Sequence, residues 1–147
     1  MKILFVCTGN TCRSPMAEAL LKHYKQEWEV RSAGVYAIDG GGSSYGTKQV
    51  LKENDIIHEH SSRLLRQGDI DWADFIFTMT ENHKYAIFHQ FPESVKKLFT
   101  LKEFTKNHPH DYDISDPFGG SVDVYRHTYK ELDVLIKELQ MKLENQE

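Results

Sequence analysis

Ile3-Leu4-Phe5-Val6-Cys7-Thr8-Gly9-Asn10-Thr11-Cys12-Arg13-Ser14-Pro15 is the stretch that decides how the rest of the chain is read. Ile3–Val6 is a short, unbroken apolar run that stops at polar Thr8-Gly9-Asn10-Thr11, the pattern of a strand buried on both faces. Ser14-Pro15 then opens a helix, with Ser14 as N-cap and Pro15 at the first helical position. Ala17, Leu20, Leu21 and Tyr24 recur at i, i+3, i+4 and i+7 and give that helix one apolar face.

Further along, Glu29–Ala33 reads as a second strand closed by Gly34, and Gly40-Gly41-Gly42-Ser43-Ser44 as the most flexible stretch. A helix near Thr47–Glu53 turns Val50 and Leu51 inward. Phe75–Met79 predicts a third strand, Glu81–Gln90 a helix, and Val95–Thr100 a fourth strand. From Ser121 to about Leu143, Tyr125, Tyr129, Leu132, Ile136, Leu139 and Leu143 alternate spacings of four and three, as one long helix requires. Strand and helix alternate four times. The expectation is an α/β fold: a single domain over residues 1–147, with a four-stranded parallel sheet in the order 2-1-3-4 and helices on both faces, flavodoxin-like. Such sheets bind ligands at the carboxyl ends of their strands, which is where Cys7–Arg13 falls.

Composition narrows the function. A length of 147 residues suits one domain that needs neither disulfide nor metal to hold a core. Hydrophobic residues make up 39%, and the 8 Phe, 7 Tyr and 2 Trp are spread over the whole length, which argues against disorder. Eighteen Lys and Arg against 22 Asp and Glu leave a net charge of −4, the wrong sign for coating a duplex, so no nucleic-acid partner is expected. Two cysteines cannot build a disulfide framework or a four-thiolate zinc site. The apolar start is too short for a signal-peptide core, and no run approaches the roughly 20 residues of a membrane span. A cytoplasmic protein without a membrane partner is expected.

The loop carries the chemistry. A cysteine closes a buried strand, five residues intervene, and an arginine meets a helix N-terminus. Backbone N–H groups wrapped at a helix N-terminus cradle an anion, and the helix dipole favours negative charge there. Gly9 and Asn10 are residue types that tolerate the left-handed backbone of a tight wrap. Arg13 offers a planar fork for two phosphate oxygens. The same positive field is expected to lower the Cys7 thiol below its free value of about 8.5 and yield a thiolate nucleophile. Ser14 could donate a hydrogen bond to that thiolate or simply cap the helix. A lone cysteine is more often a small buried hydrophobe; the strand, turn and helix around Cys7 favour the nucleophile.

A departing group needs a proton, and Asp116-Pro117-Phe118-Gly119-Gly120, just before the last helix, offers one. Pro117 stiffens the loop and holds Asp116 extended. Its carboxyl can give a proton to the leaving atom and take one from water in a second step. Asp-Pro alone is common in turns; its pairing with the cysteine loop singles it out.

With these residues in place, the chain closely resembles the low-molecular-weight protein tyrosine phosphatase family. The resemblance rests on Cys7–Pro15, on Ser32-Ala33-Gly34 after the second strand and on Asp116-Pro117, and it spans the whole chain. It implies a phosphocysteine intermediate on Cys7, with Asp116 as general acid and base. Thr8, Gly9, Asn10, Thr11, Cys12, Arg13 and Ser14 would bind the phosphate. It also implies a phosphorylated protein as substrate, inorganic phosphate as product, and chemistry that uses no metal and no other cofactor.

Two positions depart from the tyrosine-directed members. Those usually carry an aliphatic residue at Thr11 and adjacent tyrosines after Asp-Pro, where this chain has Phe118-Gly119. Both changes resemble the bacterial branch that removes phosphate from arginine, with phosphotyrosine as the alternative substrate. A threonine hydroxyl can hydrogen-bond beside a flat guanidino group, Asp116 can pair with the released guanidinium, and Phe118 can pack along its plane. Cys12, five residues after Cys7, could form a reversible disulfide with oxidised Cys7 or merely pack the loop.

Other constellations carry less. His58/His60 and His108/His110 have ligand-like spacing but no cysteine nearby, so no metal is expected. Phe88, Phe91, Phe99 and Phe104 read as core and loop packing, and Tyr125 and Tyr129 as buried. An arsenate reductase of the same fold would need further cysteines after Cys12, and this chain has none. A silent phosphoprotein-binding module would be favoured by loss of Cys7, Arg13 or Asp116, and all three are present.

Overall fold

A computed structural model describes residues 1–105 and 110–146. Its centre is β1 (Lys2–Cys7), whose residues from Ile3 onward are fully or almost fully buried. The apolar run has no polar face to offer water, so it takes the middle of the sheet, between β2 (Glu29–Gly34) and β3 (Phe75–Thr78). The short β4 (Leu98–Thr100) completes a four-stranded parallel sheet in the order β2-β1-β3-β4. The α/β architecture and strand order are those expected.

Alternate residues of β1 divide the core. Ile3 and Phe5 face a layer that includes α1 (Arg13–Tyr24) and α6 (Val122–Glu144); Leu4 and Val6 face Ile70 of α3 (Gln67–Trp72) and Ile87 of α4 (Glu81–Gln90). The stripe of α6 from Tyr125 to Leu143 is buried along its length, as the three-and-four spacing requires. α2 (Tyr45–Glu53) and α5 (Leu101–Thr105) pack beside α6, and at Gly46 a Cβ would stand 2.3 Å from the Tyr125 ring. Among the described residues, no helix is long and apolar enough to cross a membrane.

Some expectations change. The strand expected over Val95–Thr100 begins only at Leu98, because Pro92–Lys97 is a 3-10 helix with Ser94 bonded to the Phe91 carbonyl and Val95 exposed. Neither α3 nor α5 was expected; at six and five residues they are too short to show a periodicity. Phe88 lies on the exposed side of α4 rather than in the core, whereas Phe91 and Phe104 are buried. His108 and Pro109 lie outside the described residues.

Candidate active site

The site grows from the end of β1. Cys7 pairs in register with Gly34, and the two strands run so close that a Cβ on Gly34 would stand 2.4 Å from the Thr8 carbonyl oxygen. Glycine is the residue that fits there. Tight wrapping continues at Asn10, whose φ of 57° is left-handed; Gly9 does not use that region, contrary to expectation. The Asn10 side chain locks the turn. Its Nδ2 donates to Ser14 Oγ at 2.8 Å and to Ser32 Oγ at 2.9 Å, and its Oδ1 accepts from the Arg63 backbone N–H at 3.0 Å.

Ser14 is not the N-cap. α1 begins two residues earlier than expected, at Arg13 rather than Pro15, with Cys12 in the cap position and no side-chain cap bond. The loop hands its chain directly into the helix, which frees the Ser14 hydroxyl to lie 2.9 Å from Cys7 Sγ. Of the two roles open to Ser14, the geometry has the one that faces the sulfur.

A pocket of about 230 Å³ opens over this loop, lined by Cys7, Thr8, Gly9, Thr11, Cys12, Arg13, Asp116 and Phe118. The structure thus brings together the expected site residues from both ends of the chain, with Asn10 and Ser14 bonded beneath them. Arg13 is buried to 5% exposure and braced by a bond from Nη1 to the Ile114 carbonyl at 2.9 Å; its Nη2 is 3.5 Å from the Asp116 carboxylate. That carboxylate reaches the pocket because its loop is pinned upstream. Ile114 N–H donates to the Met79 carbonyl at the end of β3, and Asp113 accepts from Glu81 N–H at 2.8 Å, at the start of α4. Asp116 also accepts from Phe118 N–H at 3.0 Å, and Gly119 takes a left-handed φ of 80° just after it. The loop thereby folds back and leaves the Phe118 ring at the rim, largely exposed.

Several supporting residues were not legible beforehand. His83 of α4 lies with Nε2 2.8 Å from Thr8 Oγ1, and its buried Nδ1 has no partner among the described residues. Burial, and then the Arg13 charge, push His83 down to about 4, so the ring is neutral. The tautomer that leaves no buried N–H unpaired carries its proton on Nε2 and donates it to Thr8. The Thr8 hydroxyl proton is then free to point into the pocket.

Cys12 Sγ is held by Ser44 Oγ at 3.3 Å and Tyr125 OH at 3.4 Å, and burial beside Cys12 raises the Tyr125 phenol. Ser44 also caps α2 at Thr47 N–H. Both cysteines are free thiols. Among the described residues, the one group of three potential metal ligands is Glu18, His58 and His60, outside the pocket lining.

Residues 2–147 match the family model described as low molecular weight phosphotyrosine protein phosphatase. A protein-arginine-phosphatase of Geobacillus stearothermophilus is 49% identical over 147 residues, covering 99% of this chain and 98% of that protein. A protein-arginine-phosphatase of Bacillus subtilis is 44% identical, covering 97% of each. A solved structure of YwlE arginine phosphatase, a mutant with a phosphorylated active-site serine, superposes with a TM-score of 0.94 at 42% identity and covers 98% of this chain and 96% of that one.

Proposed function

The chain belongs to the low molecular weight phosphotyrosine protein phosphatase family, and from that premise we propose that it hydrolyses phosphoarginine in proteins through a phosphocysteine intermediate. The observation that carries the choice of arginine is Thr11 of the cysteine loop, which lines the same pocket as Asp116 and Phe118. A hydroxyl there can bond a guanidino nitrogen, where a larger aliphatic side chain would fill that space. The names of the two relatives point the same way.

In the mechanism that follows, the substrate phosphoryl group lies in the cradle of the loop N–H groups and the Arg13 fork. Ser14 Oγ orients the Cys7 sulfur, which attacks phosphorus in line with the scissile P–N bond. A P–S bond forms as the P–N bond breaks. The electron pair of that bond leaves on the guanidino nitrogen, which takes the Asp116 proton. The freed arginine is a guanidinium, and Asp116, now a carboxylate, accepts a proton from water. That water attacks phosphorus, the P–S bond breaks, and inorganic phosphate leaves with Cys7 restored. No metal or other cofactor takes part. Residues 1–147 act as one domain, in the cytoplasm, on phosphorylated protein rather than on nucleic acid or a membrane.

The test is kcat/KM on matched phosphoarginine and phosphotyrosine peptides, with one preparation and no added metal. A large preference for phosphoarginine is expected. A preference for phosphotyrosine would overturn the substrate assignment and leave the roles of Cys7, Arg13 and Asp116 standing. Activity on neither would point to a phosphoprotein-binding module. Cys7→Ser is expected to abolish turnover while far-UV circular dichroism stays unchanged.

A further inference from the structure

Next to Asn10, outside the pocket lining, Glu18 of α1 meets His58 and His60 from the segment before α3. One carboxylate oxygen and one ring nitrogen from each histidine all lie within 4.8 Å of one another. The three side chains are 10%, 6% and 4% exposed.

The ring nitrogens are arranged as ligands. His60 Nε2 is 2.7 Å from the Asn10 carbonyl oxygen, which can only accept, so the proton sits on Nε2. His60 Nδ1 faces Glu18 Oε1 at 3.9 Å. A ring N–H anchored on a backbone carbonyl is the usual way in which a metal-bound histidine is oriented. His58 Nε2 is buried 3.8 Å from Glu18 Oε2 and has no hydrogen-bond partner among the described residues. Both separations are too long for hydrogen bonds. Each lies about half an ångström above the spacing that two ligands take around a tetrahedral zinc ion at about 2.0–2.1 Å, a gap that small side-chain rotations close.

We propose that Glu18, His58 and His60 form a binding site for a divalent transition-metal ion, with Zn²⁺ the best match to two imidazoles and one carboxylate. Three protein ligands leave a fourth position for water. A surface cavity of about 140 Å³, lined in part by Glu18, Glu59 and His60, provides the way in. The third ligand comes from α1, which is why the histidine pair alone carried no such signal in the sequence. The site has a built-in competitor in Lys22, whose ammonium lies 2.6 Å from Glu18 Oε2 on a half-exposed side chain that can swing outward. Glu18 Oε1 also accepts from Ser32, which in turn accepts from Asn10, so an ion here shares its carboxylate with the bonds that hold the loop. The ion has no part in hydrolysis.

The experiment is a Zn²⁺ titration of the metal-free Cys7→Ser/Cys12→Ser protein against a chromophoric chelator, with Co²⁺ absorption as a second readout. Removing both thiols takes away the competing ligands of the pocket. One ion per chain is expected, with four-coordinate Co²⁺ bands. In that background His58→Ala and Glu18→Gln should each weaken binding by about tenfold or more. Lys22→Met, which leaves the core untouched, should tighten it several-fold. Three results would each overturn the site: no binding by the thiol-free protein, equal binding by His58→Ala, or no gain with Lys22→Met.

Discussion

The Thr8 hydroxyl and His83 Nε2 lie 2.8 Å apart, and the neutral ring donates to the hydroxyl from α4, across the end of the sheet. A residue 75 positions away thus orients a side chain of the Cys7–Arg13 loop. The folded protein holds His83 at about 4, whereas an unfolded histidine titrates near 6.5. Below about pH 6.5 the unfolded chain therefore takes up a proton that the folded state refuses. The stability associated with this residue is complete above that pH and is lost as the pH falls toward 4. Thermal unfolding between pH 7 and 4 should show a steeper loss for the wild type than for His83→Gln. Parallel curves would contradict the assignment.

Asn10 is expected to be the least replaceable uncharged residue of the loop. Alanine would lose the bonds to Ser14, Ser32 and Arg63, and with them the polar side chain that makes left-handed backbone at φ 57° tolerable for asparagine. The two effects together are expected to cost about 3 kcal/mol in urea unfolding. Asn10→Gly accepts the backbone but loses the same three bonds, so it should be about 1 kcal/mol more stable than Asn10→Ala. Both should lower kcat, because Ser14 loses the bond that aims its hydroxyl at Cys7. The reverse order of stability would remove backbone strain from the account.

How far the sequence could be read depends on the range over which each signal acts. β1 and its loop are legible because an apolar run, a turn and a proline fall within thirteen residues, and α6 because its stripe repeats over about five turns. Ser14 reads as a cap in the sequence because serine suits a cap and a thiol partner equally well. The start of β4 is not legible because Val95 looks like strand, while Pro92 three residues earlier has already begun a 3-10 turn. Cys7, Arg13 and Asp116 could be named from residue type and position. Their supports could not: His83, Ile114, Tyr125 and Glu18 reach the loop through the packing of α4, the Asp116 loop, α6 and α1. A buried histidine, a backbone carbonyl and a tyrosine on an apolar stripe have no local signature of such a role. Ser32-Ala33-Gly34 was the one supporting segment that could be singled out, and both Ser32 and Gly34 contact the loop.

Thr11 should set the choice of substrate. Its side chain lies in the pocket wall near Cys12, and Thr11→Ile would replace the hydroxyl by apolar bulk. The ratio of kcat/KM for phosphoarginine to that for phosphotyrosine is expected to fall by about 10- to 100-fold, the range that changes in pocket size and hydroxyl contacts usually give. Tm should change little, since the residue is on the wall of an open cavity. An unchanged ratio would leave Thr11 without a role in selectivity.

Cys7 and Cys12 line the same pocket as free thiols, and Cys12 Sγ is held in place by Ser44 and Tyr125. Hydrogen peroxide should oxidise Cys7 to a sulfenic acid with release of water. The Cys12 thiol can then attack that sulfur, expel a second water and close a disulfide that a thiol reductant reopens. Wild-type protein treated with peroxide should lose activity, show a mass lower by two hydrogens, and recover almost fully with dithiothreitol. Cys12→Ser has no resolving thiol, so further oxidation of Cys7 to the sulfinic acid should add oxygen and leave most of the loss permanent. Tyr125→Phe removes a hydroxyl from the Cys12 sulfur but leaves the thiol itself, so recovery should persist. Equal recovery of the wild type and Cys12→Ser would show that Cys12 only packs the loop.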